Sequence, residues 1–235
     1  EVGASEKNLL GFGKAVSVSH RVNLDRSIDR VLYEDYQFAG SNVGLTASVA
    51  KLSDGHEQFL LFDRAYLSLQ DPWKASVQAG SFNRSDPLFE NGAEVSRLRH
   101  RGRWGDVVVG RALRRSQSRA VRMHGAYRLR QEQIGAGHRD FGTAEVGVQV
   151  ISHRFVRLTH VNQFERVEDI NLGAESYGIV GLSSAALGGQ DGRVVIAGAG
   201  HSQGFRWRDD HFALVDFSAS GRQERDGWRN AQTRV

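Results

Sequence analysis

Hydrophobic and polar residues alternate along most of this chain. Between Ala15 and Val22, the residues Val16, Val18, His20 and Val22 share one side, and Ala15, Ser17, Ser19 and Arg21 take the other. Between Asn42 and Ala50, Val43, Leu45, Ala47 and Val49 oppose Gly44, Thr46, Ser48 and Ala50. The clearest run is Ala120 to Arg130, where Val121, Met123, Gly125, Tyr127 and Leu129 oppose Arg122, His124, Ala126, Arg128 and Arg130. Ala144–Val150, Ile170–Leu182 and His211–Ala219 repeat the pattern. A period of two is that of a strand with one apolar face. No stretch carries a helical period. Asp54-Gly55, Asn91-Gly92, Asp191-Gly192 and Asp226-Gly227 fall between alternating runs, and such pairs favour tight hairpins. The pattern predicts about 12 strands joined mainly by hairpins. Longer loops are expected at 85–92, 131–142 and 162–169.

An all-β chain of this size is a barrel, a sandwich or a propeller. The runs over 42–53 and 144–160 are longer than the usual sandwich strand. The polar faces are rich in Arg, and small residues dominate even the apolar side. An antiparallel transmembrane β-barrel, with lipid outside and a charged lumen inside, accommodates both. Trp73, Trp104 and Trp207, with Tyr33, Tyr36 and Tyr66, fall near expected strand ends, where interfacial girdles sit. On that orientation, an Arg at Val121 or Tyr127 blocks membrane assembly. Two other readings remain open: a pore or ligand-binding barrel with an Arg-lined lumen, and a soluble β-sheet domain that binds an acidic partner.

Composition sharpens this picture. Gly is frequent at 27 of 235 residues and Pro is rare at 2, as suits long antiparallel strands. No run approaches the roughly 20 apolar residues of a transmembrane helix. There is no Cys, which removes disulfides and thiolate metal sites. The net charge is +4, carried by 27 Arg against 4 Lys. The aromatics do not track the Arg positions, so nucleic acid is not the expected partner. Arg97, Arg99 and Arg101 share one strand face, and Arg122, Arg128 and Arg130 share another. Arg111, Arg114 and Arg115 lie between them. An Arg facing lipid costs about 2–4 kcal/mol at the midplane, so both triplets are expected to line one sector of the lumen. Glu94, Asp106, Glu145 and Glu175 are the available counter-charges. A structural Arg–carboxylate mesh is favoured over an electropositive wall that meets a loop, a client protein or lipopolysaccharide phosphates.

Two motifs invite enzymatic readings. Gly200-His201-Ser202-Gln203-Gly204 matches the G-x-S-x-G nucleophile elbow, but no helical period follows it and no alternating βα pattern precedes it. Gly11-x-Gly13 and Gly198-x-Gly200 lack dinucleotide-binding spacing. The nine His do not cluster as ligands, and His153 and His160, seven apart, fall on opposite faces of a strand. No catalytic residue, metal or cofactor is expected, and no enzymatic activity.

The segment Ser5-Glu6-Lys7-Asn8-Leu9-Leu10-Gly11-Phe12-Gly13-Lys14, running into an alternating strand, resembles the first barrel strand of the BamA/TamA-type family. These are outer-membrane insertases and translocases, also called bacterial surface antigen barrels. Tyr36-Gln37-Phe38-Ala39-Gly40-Ser41 is similar to the close of that family's second strand. Tyr66-Leu67-Ser68-Leu69 with Asp71-Pro72-Trp73, and then Phe89-Glu90-Asn91-Gly92, resemble later segments in the same order. Two features depart from the family. Its Arg-Gly-aromatic motif is not matched by Arg101-Gly102-Arg103, and its aromatic terminal residue is not matched by Gln232-Thr233-Arg234-Val235. Family barrels have about 16 strands, within the range of outer-membrane barrels. The resemblance therefore implies a fragment: residues 1–235 as the N-terminal part of a barrel, with the last strands and the preceding periplasmic POTRA domains outside it. It further implies a bacterial outer-membrane location and a role in inserting or translocating proteins through a lateral seam. The implied partners are outer-membrane lipid, client or secreted proteins and the POTRA domains. The seam strand would run from Asn8 to Val22, with Asn8, Leu9, Leu10, Gly11, Phe12, Gly13 and Lys14 at its start. Glycine weakens strand pairing, which suits a strand that must release its neighbour.

Overall fold

The computed structural model of the protein describes residues 1–159, 167–190, 192–208, 211–224 and 226–234. Among these, alternation becomes strand almost everywhere. The strands are β1 (Val2–Glu6), β2 (Lys14–Val22), β3 (Ser27–Asp35), β4 (Gly44–Leu52), β5 (Gly55–Arg64), β6 (Trp73–Glu90), β7 (Ala93–Arg115) and β8 (Arg119–Ile134). They continue as β9 (Gly137–Ser152), β10 (Phe155–Thr159), β11 (Val167–Asn171), β12 (Ala174–Ser183), β13 (Val194–Arg206), β14 (Phe212–Glu224) and β15 (Gly227–Arg234). Helical structure is confined to three 3₁₀ turns of three residues each, and no described helix is long and apolar enough to cross a membrane.

Thirteen strands form one antiparallel sheet in the order β1 to β9, then β12 to β15, and β10 with β11 makes a separate two-stranded ribbon. Strands adjacent in the sheet are thus adjacent in sequence, except where that ribbon intervenes. The sheet is open, with β1 and β15 at its two edges. The 15 described strands exceed the expected 12, and two expected loops are ladder that lengthens β6, β8 and β9. Residues 85–90 continue β6, and 131–142 form the β8–β9 hairpin around Gly135 and Ala136. The loop expected at 162–169 lies outside the described residues up to 166, and 167–169 belong to β11. His160 and the Asp191 of the expected Asp191-Gly192 turn also lie outside them.

The register aligns apolar residues into rows. Leu45, Phe62, Val77, Val107, Tyr127, Ala144, Leu182 and Val195 stand side by side across eight strands. The next row on that face is Ala75, Val109, Gly125, Val146, Val180 and Ala197. One residue along, on the opposite face, runs Glu34, Thr46, Leu61, Gln78, Asp106, Arg128, Thr143 and Ser183. The burial is inverted relative to a water-soluble sandwich. Val107 is 44% exposed and Val146 63%, whereas Asp106 is 4% and Ser183 6% exposed. The accessible surface is 16003 Å², against about 10,500 Å² for a compact soluble protein of this mass. The difference reflects one sheet whose apolar face meets no second layer.

The sheltered face is kept thin by glycines opposite aromatic rings. Gly80 faces Trp104, Gly102 faces Phe82, Gly147 faces His124 and Gly200 faces Tyr177 in register. A Cβ on Gly80 would meet the Trp104 ring at 2.7 Å, so the ring lies down in the space the glycine leaves. Trp104 is therefore an interior residue of the sheltered face, stacked 5.6 Å from Phe59, and not part of a girdle. Tyr66 departs from the girdle expectation too, because its ring lies 4.0 Å beneath the Arg122 guanidinium. Tyr33, Tyr36, Trp73 and Trp207 do gather at one end of the sheet, at or just past the ends of β3, β6 and β13.

Candidate functional site

Three places carry features that bear on function: the β1 edge, the charged cluster on the sheltered face and the arginines of β7. The β1 edge differs from the expected seam strand. Residues Asn8 to Gly13 form the turn between β1 and β2, with Glu6 paired to Val16. Leu10, Gly11 and Gly13 have φ of 52°, 80° and 67°, which extended backbone excludes. Gly13 N donates to Asn8 Oδ1 at 2.7 Å, and Asn8 N donates to Glu6 Oε1 at 3.0 Å. The glycines thus serve the turn rather than loosen a strand. Of the expected seam residues, Asn8, Leu9, Leu10, Gly11, Phe12 and Gly13 are turn, and only Lys14 enters β2. One free edge is Val2–Glu6, five exposed residues bonded on one side only, and Gly227–Arg234 is the other.

The same turn recurs 29 residues on, between β3 and β4. Gln37 N donates to Asp35 Oδ1 at 3.1 Å, as Asn8 N does to Glu6. Ala39 and Gly40 have φ of 52° and 72°, matching Leu10 and Gly11. Acid-x-amide-apolar-x-Gly is the shared sequence, Glu6 to Gly11 and Asp35 to Gly40.

On the sheltered face, the turn after β2 reaches across to β6. Arg26 Nη2 donates to Asp86 Oδ1 at 2.7 Å, and Arg26 Nη1 lies 3.5 Å from Asp54 Oδ2. Asp86 also meets His100 Nδ1 at 2.7 Å and Arg84 Nε at 3.0 Å. Glu57 lies between Arg84 and Arg30 at 3.5 and 3.3 Å. Burial alone would raise the Asp86 carboxyl. The hydrogen bonds from Arg26 and His100 and the charge of Arg84 outweigh it and hold Asp86 below its ordinary value. In the 65–72 loop, the backbone N–H of Ser68 and that of Leu67 donate to Asp71 at 2.7 and 2.6 Å. They hold that carboxyl low as well.

The six arginines expected in one lumenal sector do not share a face. Alternation is unbroken along β7 from Ser96 to Ala112, so Arg97, Arg99 and Arg101 stand on the side of Val107 and Val109. Arg122, Arg128 and Arg130 stand on the sheltered side with Asp106 and Trp104. Arg122 is 8% exposed and donates to the Ser68 carbonyl at 2.8 Å, which ties the 65–72 loop to β8. Arg128 Nε lies 3.3 Å from Glu145. Arg97 pairs with Glu94 at 2.7 Å. Arg99 Nε donates to Asn83 Oδ1 at 3.2 Å. Arg101 and Arg130 have no hydrogen-bond or ion-pair partner among the described residues. Of the counter-charges expected, Glu94 and Glu145 meet arginines, while Asp106 and Glu175 accept from Gln78 and Gln149 at 2.7 and 2.6 Å. The period of two was readable in β7. What the sequence hid was that odd-numbered Arg97–Arg101 lie on the side of the exposed apolar rows but beyond the end of those rows.

Gly200–Gly204 runs straight through the middle of β13, paired on both sides. Ser202 stands between Glu175 and Asp216 in register, while His201 points to the other face and meets Ser176 Oγ at 2.7 Å. There is no strand-to-helix turn, so the geometry of an elbow is absent. Among the described residues, no three of His, Asp and Glu converge as metal ligands. Comparison with protein-family models, with curated proteins and with solved structures finds no match to this chain.

Proposed function

We propose that this sheet is part of a transmembrane β-barrel of the outer-membrane type, with its exposed apolar rows against lipid. The observation that carries the reading is the inverted burial: an apolar face left bare across eight strands, backed by a sheltered face of ion pairs and small residues. Bare apolar surface of this extent is stable in lipid and a liability in water. We further propose that the barrel acts in inserting or translocating proteins, through strand addition at the β1 edge. Val2–Glu6 offers backbone donors and acceptors on one side only, a template for an incoming strand. The likeness of Ser5–Lys14 to BamA/TamA-type barrels supports this reading, though the edge lies at Val2–Glu6 rather than Asn8–Val22. An anion-selective lumen is less favoured, because Arg26, Arg30, Arg84 and Arg128 on the sheltered face are met by carboxylates.

The chain has no Cys, so a single introduced one reports without background. A fluorophore on Val146→Cys should be quenched by brominated lipid after reconstitution, and one on Ser183→Cys should not. Equal quenching at the two sites overturns the orientation. A photo-cross-linking residue at Ala4 in cells should capture nascent outer-membrane proteins. Capture at Ala219, on the same apolar face but with paired strands on both sides, should be absent. Equal capture at the two positions overturns strand addition at β1.

A further inference from the structure

We propose that Arg99, Arg101 and Arg103 form a comb that binds the phosphates of anionic lipid headgroups at the rim of the apolar belt. The inference rests on the reading that the apolar face meets lipid. The three arginines alternate along β7 on the side of Gly105, Val107 and Val109, so the comb continues directly from the belt. All three are exposed.

Their bonding sets them apart from Arg26, Arg30, Arg84 and Arg128 on the sheltered face, which meet carboxylates. Arg99 Nε donates to Asn83 Oδ1 at 3.2 Å and Arg103 Nε donates to Gln131 Oε1 at 2.5 Å. Both partners are neutral amides on the flanking strands, and each takes the Nε–H. The guanidinium is thereby aimed while its two terminal nitrogens and its full charge stay available, and that fork is the group that matches phosphate oxygens in a bidentate way. Arg101, between them, has no partner among the described residues. Arg97, one step further from the belt, is neutralised by Glu94 and marks the end of the comb. Lys51 stands in the same cross-strand row as Arg101, through His56 and Asn83, but faces Asp29 on β3, whereas Arg99, Arg101 and Arg103 have no acid opposite them in register. Free phosphate would gain only the fork. A phospholipid gains the fork and, for its acyl chains, the Val107–Val109 surface directly adjacent. Charge and apolar area together therefore select a phosphate-bearing lipid.

The test uses the full chain in zwitterionic detergent and dioleoyl phosphatidic acid as the probe. Bound lipid is counted by native mass spectrometry, with dioleoyl phosphatidylcholine as reference. The wild type should retain phosphatidic acid over phosphatidylcholine. The triple variant Arg99→Gln/Arg101→Gln/Arg103→Gln should lose about tenfold or more of that preference, given the strength of charged hydrogen bonds. Arg101→Gln alone breaks no hydrogen bond or ion pair among the described residues, so a partial loss there is expected even if the triple variant folds poorly. An unchanged preference in Arg101→Gln and in the triple variant overturns the comb. Displacement of the lipid by inorganic phosphate at equal concentration overturns the lipid assignment in favour of a free-anion site. The Val146→Cys quenching experiment separates the two levels: quenching without Arg-dependent lipid binding defeats the comb alone, and no quenching defeats the membrane reading beneath it.

Discussion

The two halves of the β6–β7 hairpin make the same ladder under opposite circumstances. From Trp73 to Asn83 and from His100 to Arg115, the hairpin lies within the sheet, flanked by β5 and β8. There Val77 and Val107 are bare on one face while Gln78 and Asp106 are joined on the other at 2.7 Å. From Arg84 to Arg99 it stands alone as a two-stranded ribbon, roughly 20 Å long at about 3.3 Å per residue. Both of its faces are polar or mixed, and Pro87 is tolerated because β6 has no β5 neighbour there. Such a ribbon is marginal in isolation. What anchors it is the cluster of Arg26, Asp86, Arg84 and His100 at its root. The difference teaches that alternation records the surroundings of a ladder, not the ladder itself.

The sharpest way to break this contrast is to put charge on each half. Val146→Arg, on the belt beside Gly125, should cost about 2–4 kcal/mol and prevent stable insertion into lipid vesicles. Val95→Arg in the ribbon, equally exposed, should leave insertion unchanged. Equal behaviour of the two in a heat-modifiability assay would erase the distinction. Next in size, Gly80→Val must displace the Trp104 ring from the sheltered face, at a cost of about 1–3 kcal/mol. A near-ultraviolet circular dichroism band that does not change would show that the ring was never held there.

Removing the anchor is a comparable blow to the outer half alone. Asp86→Ala leaves His100 without its carboxylate and Arg26 with Asp54 alone, and should cost about 1–3 kcal/mol of local stability. Hydrogen exchange should rise at Leu88 and Ser96 but not at Val107. Acid should do the same more gently. Asp86 is held below its ordinary value of 3.8, so its contribution is complete above that pH and drains away as pH falls through the lower folded value. An acid-induced loss of ribbon protection that is the same in Asp86→Asn as in the wild type would rule out a part for Asp86. The smallest effect is expected from Arg101→Ala, within about 0.5 kcal/mol, as for other exposed sites without partners. A larger drop in denaturant midpoint would point to a structural duty for Arg101.

The same contrast explains what could be read from the chain in advance. Ala120–Arg130 announced β8 because one side of it, Val121 to Leu129, is apolar throughout. Residues 85–92 and 131–142 read as loops because no apolar side repeats there, while their backbone bonds continue unbroken through most of them. The Arg97 and Arg128 groups were each traced to one side of a strand, but relating the two sides needs register, which depends on where each turn falls. The Gly-x-Gly at Gly11 was ambiguous for a local reason: positive φ serves a turn, and the absence of a side chain serves a weak strand. Only the Asn8 side chain, closing onto Gly13, decides between them. Pairings such as Gly80 with Trp104 were out of reach, since they join residues 24 apart through a hairpin whose turn had been placed but whose register had not.

The twin turns at Glu6–Gly13 and Asp35–Asn42 have a consequence for how such a sheet changes size. Each closes a hairpin whose two strands pair only with their sequence neighbours. A hairpin of this kind is modular: it can be duplicated or excised with its own turn, widening or narrowing the wall by two strands without disturbing the register elsewhere. The two turns, 29 residues apart, have near-identical backbones, so each hairpin carries its own closing turn and the width of the sheet is adjustable in steps of one hairpin.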